Sequence, residues 1–145
     1  MNGKKLYNVY KTKIEDCKFI KVPKVHDERG SLGVIEKTII PFAIKRVYYL
    51  YDVPSDSYRG GHAHKKQESV ILALSGSFEV ILNDGSEKKK VVLNKPNQAL
   101  YIPTGIWREI ENFSSGSVCL VLASTEFEEL DYIRDFKTFK LFKSR

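Results

Sequence analysis

Cysteine is scarce in this chain, with two residues, Cys17 and Cys119, among 145. Neither has a partner at metal or redox spacing, and both sit among strand-forming apolar neighbours, so buried, reduced thiols are expected. Long apolar runs are missing too. None approaches the roughly 20 residues that a bilayer span needs, and no membrane partner is expected. The opening M-N-G-K-K-L-Y-N-V-Y carries no secretory apolar region, which points to the cytoplasm. Acidic residues are outnumbered, 18 against 24 Lys and Arg, for a net charge of +6. A basic balance suits nucleic acid or a small anion such as a diphosphate. No nucleic-acid module pattern occurs, however, and the aromatic residues lie inside alternating segments instead of an exposed stacking row, so no nucleic acid is expected. The run Lys88-Lys89-Lys90 follows the turn N-D-G-S and reads as a solvated hairpin arm.

What remains is an ordinary globular composition, 42% hydrophobic and 29% charged, which excludes disorder over most of the length. Residues 1–145 fit one domain, with no internal repeat or linker. Short segments rich in Val, Ile, Tyr and Phe predict strands over 14–22, 31–37, 45–51, 69–74, 77–82, 89–93, 99–102 and 118–123. Turn signals stand between them at L-S-G-S (74–77) and N-D-G (83–85). Many short strands with such turns predict an all-β sandwich or barrel. Near the end, Ile133, Phe136 and Phe139 recur at three-residue spacing and predict a short helix within 131–142. It is expected to pack on the outside of the barrel, with contact to a second copy as the other reading.

The chemistry-bearing residues concentrate in R-G-G-H-A-H-K (59–65). His62 and His64 stand two apart, which on a strand places them on one face. The remaining histidine, His26, falls in the loop-like K-V-H-D-E-R-G and is expected at the surface. Paired imidazoles suit metal binding or proton transfer. Metal-binding cupins carry His-x-His with Glu four residues on, then Pro-x-Gly-x-x-His with a later Asn. Here His62, His64 and Glu68 match the first motif. Pro103-Thr104-Gly105-Ile106-Trp107 with Asn112 matches the second, but Arg108 stands in place of its histidine. A guanidinium stays protonated, coordinates no cation and repels one. Of the two chemistries, metal binding is therefore the less favoured. Arg108 instead suits an oxyanion or phosphate beside the two imidazoles.

Other cations surround that motif. In K-R-V-Y-Y-L-Y (45–51), Arg46, Tyr48 and Leu50 share one face. If that face points inward, Arg46 needs an anionic partner, either a structural carboxylate or a substrate phosphate. Arg29, at the turn D-E-R-G-S-L, reads as a rim salt bridge or a ligand contact. Arg29, Arg46, Arg59, Lys65 and Arg108 are the expected substrate-binding residues.

The stretches D-E-R-G-S-L (27–32), P-F-A-I-K-R-V-Y-Y-L (41–50), R-G-G-H-A-H-K-K (59–66), L-Y-I-P-T-G-I-W-R-E-I (100–110), V-L-A-S (121–124) and D-Y-I-R-D-F (131–136) occur in this order. Together they resemble the dTDP-4-keto-6-deoxyglucose 3,4-ketoisomerases, the WxcM-like cupins, from about Lys24 to Phe142. The resemblance implies a homodimeric cupin barrel that isomerises a dTDP-linked 4-keto sugar to a 3-keto sugar without metal or organic cofactor. An aminotransferase then builds 3-amino-3,6-dideoxy sugars for surface glycans such as lipopolysaccharide O-antigen or an S-layer. It further implies that the base lies in H-A-H, at His62 or His64, and that the family's tyrosine falls on Tyr48. The mechanism expected is removal of the carbon 3 proton by His64, with His62 shuttling the hydroxyl proton and Tyr48 and Arg108 holding the enediolate. Three other functions compete: a dTDP-4-keto-sugar 3,5-epimerase-like cupin, a metal-dependent cupin enzyme and a non-catalytic sugar-nucleotide-binding cupin.

Overall fold

Segments that alternate between apolar and polar side chains fold as antiparallel strands, and those apolar on both faces take the centre of a sheet. The computed structural model describes residues 8–145. One five-stranded sheet is ordered β1 (Lys18–Lys21), β9 (Gln98–Ile102), β6 (Ser69–Ser75), β11 (Val118–Ala123) and β4 (Arg46–Leu50). The second is ordered β12 (Tyr132–Ile133), β5 (Arg59–His64), β10 (Trp107–Glu111), β7 (Phe78–Asn83) and β8 (Lys88–Leu93). A separate ribbon pairs β2 (Lys24–Asp27) with β3 (Gly30–Gly33). The two large sheets face each other as a cupin jelly roll, the all-β barrel that the turn spacing predicts.

Three apolar clusters fix this arrangement. The barrel interior is filled from both sheets by Ile71, Phe78, Leu82, Leu93, Leu100, Ile102, Ile110 and Val121. Outside the first sheet, Val70, Leu72, Tyr101 and Leu122 are covered by Ile35, Ile39, Ile40 and Phe42. Outside the second, Ala63, Trp107 and Ile133 pack against Phe139 of the terminal helix α1 (Phe136–Lys143). β6 is therefore buried on both faces from Ser69 to Ala73, which explains its unbroken apolar run.

The structure departs from the predicted elements in several places. The segment 14–22 opens as a 3-10 turn, Ile14–Asp16, before β1 begins. Asp84 accepts the Ile14 N–H at 3.1 Å and Asp16 accepts the Lys13 N–H at 2.9 Å, giving those donors side-chain partners where a ladder would have been. The strand over 31–37 is shorter, ending at Gly33. β2, β5, β10 and β12 stand outside the predicted set. The terminal helix starts at Phe136 instead of Asp131, because residues 132–133 pair with β5 and Asp135 caps the helix by accepting the Thr138 N–H at 2.9 Å. Cys17 is half-buried and Cys119 buried, both free thiols, and burial raises each to about 12. Lys88, Lys89 and Lys90 lie exposed along β8 as a solvated arm, and His26 is exposed on the ribbon.

Candidate active site

Strict alternation along β5 would put Arg59 on the face opposite His62 and His64. A bulge changes this. On β10, Arg108 pairs with His62 and the next residue, Glu109, pairs with Gly60, so Gly61 is the extra residue. Its φ of 57° lies in the left-handed region that glycine adopts without a Cβ penalty, as a bulge of this kind requires. The bulge puts Arg59, which stays exposed, on the face of His62, where it borders with His62, Tyr48 and Arg108 a cavity of about 90 Å³. Leu50, Ile71, Ile110 and Val121 close its apolar side.

The two histidines differ in exposure. His62 lines the cavity and is half-buried, whereas His64 is wholly buried behind it, with ring centroids 4.8 Å apart. His64 is held from the far side by Asp131, whose Oδ2 lies 2.9 Å from Nδ1. Asp131 also accepts the backbone N–H groups of Lys66 at 2.6 Å and Gln67 at 3.2 Å. Burial lowers the His64 pKa to about 4, outweighing the Asp131 hydrogen bond that raises it, and Arg108 lowers it further. Burial works against the Asp131 carboxylate, but His64 and the two backbone donors hold it below its ordinary value. At neutral pH the pair is thus a neutral imidazole donating from Nδ1 to a carboxylate. This tautomer leaves a lone pair on His64 Nε2. The Tyr132 ring stands 4.4 Å from the His64 ring and 5.0 Å from that of His62.

Arg108 is 2% exposed, and no carboxylate pairs with it among the described residues. Its contacts are long and neutral: the Ile106 carbonyl at 3.3 and 3.4 Å and Ser69 Oγ at 3.3 Å. Burying a guanidinium on such partners costs stability unless an anion is to arrive. Tyr48 is raised by burial, against the opposing pull of Arg108 and Arg46, so its hydroxyl stays a donor at neutral pH. Arg46 and Tyr48 share one half-buried face of β4, as the period of 45–51 predicts. Arg46 meets the Gln67 amide oxygen at 2.7 Å, the Tyr132 hydroxyl at 3.4 Å and the faces of Tyr48 and Phe127, 5.0 and 5.5 Å away. A structural carboxylate is not its partner among the described residues.

Arg29 and Lys65 are not gathered into the cavity. Arg29 is exposed on the ribbon and pairs with Asp27 at 2.7 Å, the rim salt bridge of the two readings. Lys65 is exposed and lines a surface groove with Arg134 and Leu141. The metal-type ligand set does not assemble either. Glu68 accepts the Tyr101 hydroxyl at 2.7 Å, and Tyr101 belongs to the outer cluster, while the neighbouring Ser69 reaches Arg108. Asp131, Gln67 and Ser69 were not among the expected site residues. They contact the site through long-range hydrogen bonds, and only the D-Y-I-R-D-F stretch gave a signal for one of them.

Comparison with known proteins adds a second line of evidence. The sequence model described as "FdtA: WxcM-like, C-terminal" matches residues 15–144. A TDP-4-oxo-6-deoxy-alpha-D-glucose-3,4-oxoisomerase from Aneurinibacillus thermoaerophilus is 47% identical over 124 residues, covering 85% of this chain and 89% of that protein. A 3,4-ketoisomerase from Helicobacter canadensis superposes with TM-score 0.87 at 45% identity, covering 90% of this chain and 98% of the other. A histidine-to-asparagine variant of the 3,4-ketoisomerase QdtA from Thermoanaerobacterium thermosaccharolyticum, solved with TDP-4-keto-6-deoxyglucose, superposes with TM-score 0.88 at 41% identity, covering 92% and 98%.

Proposed function

The chain belongs to the FdtA, WxcM-like family of TDP-sugar 3,4-ketoisomerases, and we propose that it moves the carbonyl of TDP-4-keto-6-deoxyglucose from carbon 4 to carbon 3 by proton transfer at His62. The observation that carries this reading is a cavity bounded by one half-buried imidazole and one buried guanidinium that has no carboxylate partner among the described residues. Those are the two groups an enolisation needs: a base for a carbon acid and a fixed positive charge for the resulting oxyanion.

The steps follow from the arrangement. His62 takes the carbon 3 proton, and the electron pair flows through the carbon 3–carbon 4 bond to the carbonyl oxygen. Arg108 and the Tyr48 hydroxyl donate to that oxygen. The hydroxyl proton on oxygen 3 passes to oxygen 4, carbon 4 takes a proton from the imidazolium, and the carbonyl now stands on carbon 3. The burial of His64 and the cavity-facing position of His62 support His62 as the base, the reverse of the roles expected from sequence. His64, fixed by Asp131, supports His62 from behind. Arg59, at the mouth of the cavity, meets the diphosphate.

Turnover of TDP-4-keto-6-deoxyglucose in deuterated solvent, followed by NMR, tests the reading. The product should carry deuterium at carbon 4 to the extent that the His62 imidazolium exchanges its proton with solvent before returning it, with none at carbon 5. Exchange at carbon 5 would instead identify a 3,5-epimerase, and binding with no turnover would identify a sugar-nucleotide-binding protein. His62→Asn should abolish exchange at carbon 3. Survival of that exchange in His62→Asn with loss in His64→Asn would return the base to His64.

The working form is proposed to be a homodimer in the cytoplasm, where its sugar-nucleotide substrate is free. Among the described residues β4 is an edge of its sheet, and Val47 and Tyr49 on its outer face, with Tyr51 just beyond its end, are 53%, 59% and 62% exposed. A second copy seated there would cover them, and Tyr49→Glu should then shift the protein to monomer in light scattering.

A further inference from the structure

Gln67 is 1% exposed and makes more polar contacts than its place outside the cavity would require. Its Oε1 accepts from Arg46 Nη2 at 2.7 Å and from Thr125 Oγ1 at 3.1 Å. Its Nε2 donates to Ser69 Oγ at 3.0 Å, the same oxygen that accepts from Arg108 Nη1 at 3.3 Å. Its backbone N–H donates to the Asp131 carboxylate that holds His64. Arginine can only donate, so the amide has one possible orientation, with oxygen to Arg46 and nitrogen to Ser69. One neutral residue therefore links the two guanidiniums through its side chain and the histidine–aspartate pair through its backbone N–H.

The neutrality is the informative feature. A buried guanidinium, Arg108, and a half-buried one, Arg46, joined by one hydrogen-bonded chain and without a carboxylate partner among the described residues, repel each other and lose hydration. Glutamate has nearly the same shape, would accept from Arg46 more strongly and would screen Arg108. Glutamine at this place leaves the positive potential of the cavity uncancelled. We propose that Gln67 is a positioning residue whose neutrality leaves Arg108, which lines the cavity, uncompensated and available to the anion formed during the reaction, with the adjoining half-buried Arg46 adding to the positive potential, at the expense of folded-state stability. This inference rests on the ketoisomerase reading for its catalytic half and on the charge arrangement alone for its stability half.

Gln67→Glu and Gln67→Met test it together. A carboxylate at 67 would face Arg46 from β4, Arg108 from β10 through Ser69, Asp131 and Tyr132 at the β12 end, His62 and His64 from β5, and Tyr48 from β4. Between the two guanidiniums it would be ionised. Gln67→Glu is expected to melt at or above the parent at neutral pH without substrate, while kcat falls by about 100-fold with little change in KM. The acid limb of its kcat/KM profile should move to higher pH, because an added negative charge favours the imidazolium. Gln67→Met keeps neutrality and loses the hydrogen bonds, so it should melt lower yet keep more activity than Gln67→Glu.

A Gln67→Glu enzyme within about threefold of parental kcat would overturn the proposal, since compensating one such charge should cost far more. So would a Gln67→Met enzyme as impaired as Gln67→Glu, or a Gln67→Glu protein that melts below the parent. Absence of turnover in the parent itself would sink the ketoisomerase reading instead. The melting comparison would then still decide the charge argument.

Discussion

Protonation of His64 should make acid the weak side of this fold. In the unfolded chain its imidazole titrates near its ordinary value of 6.5, and in the folded chain burial lowers it to about 4. The unfolded state therefore binds more protons between those values, and stability falls as pH drops from 6.5 toward 4. At pH 5 the unfolded imidazole is almost fully protonated and the folded one almost bare, which amounts to a loss of about 2 kcal/mol relative to neutral pH. Asp131 does not blur this window. Its folded pKa lies below the ordinary 3.8, so its own contribution is lost only in stronger acid. Urea unfolding followed by Trp107 fluorescence, at about pH 7 and about pH 5, measures the effect for the parent and for His64→Gln. The variant starts from a lower stability, but only the change with pH is compared. The parent should lose about 2 kcal/mol more than the variant on acidification. Equal losses in the two proteins would refute the idea that a buried neutral imidazole sits at this position.

Gly61→Ala places a Cβ at a φ of 57° and 2.9 Å from the Tyr58 hydroxyl. A stability loss of about 1–2 kcal/mol by chemical denaturation is expected, and kcat should fall with it because the bulge that puts Arg59 and His62 on one face is strained. Arg108→Lys keeps the charge but loses the planar fork, so kcat should drop by about 100-fold at nearly unchanged melting temperature. Lys143 Nζ donates to the carbonyls of Val9, Thr12 and Gly105 and to Thr12 Oγ1, at 2.8–3.3 Å. Lys143→Met should remove about 1.5–3 kcal/mol of stability by untying α1 from the N-terminal segment, with kcat nearly unchanged.

Alternation made most of the barrel legible in the sequence, and where it failed the causes are physical. β10 reads W-R-E-I-E, and a strand with charge on both faces gives no apolar stripe. Here the inward residue is Arg108 and the outward one is Trp107, buried beneath Phe139, the inverse of the usual pattern. Position 68 fitted a metal motif by spacing alone. The chain leaves β5 at His64 and turns before β6 begins at Ser69, with the Lys66 and Gln67 N–H groups committed to Asp131. Four-residue spacing across that turn no longer means one face, and Glu68 emerges toward Tyr101. Asp131 was assigned to a helix because its neighbours recur at helical spacing, while its actual partner stands 67 residues earlier.

These failures bear on how the site works. Glu68 and Asp131 are both polar, buried and bonded to partners distant in sequence, so their local pattern argues against their true positions. Natural chains keep such inconsistencies where chemistry needs them, because an all-apolar interior would be easier to fold. The bulge at Gly61 is the sharpest case. One residue in the left-handed region shifts the face of everything before it, and through it Arg59 reaches the same cavity as His62. Gly61, ahead of a histidine pair, is thus more than a permissive loop residue. It is the means by which a strand presents a cation and a base on one face, which period-two geometry alone forbids.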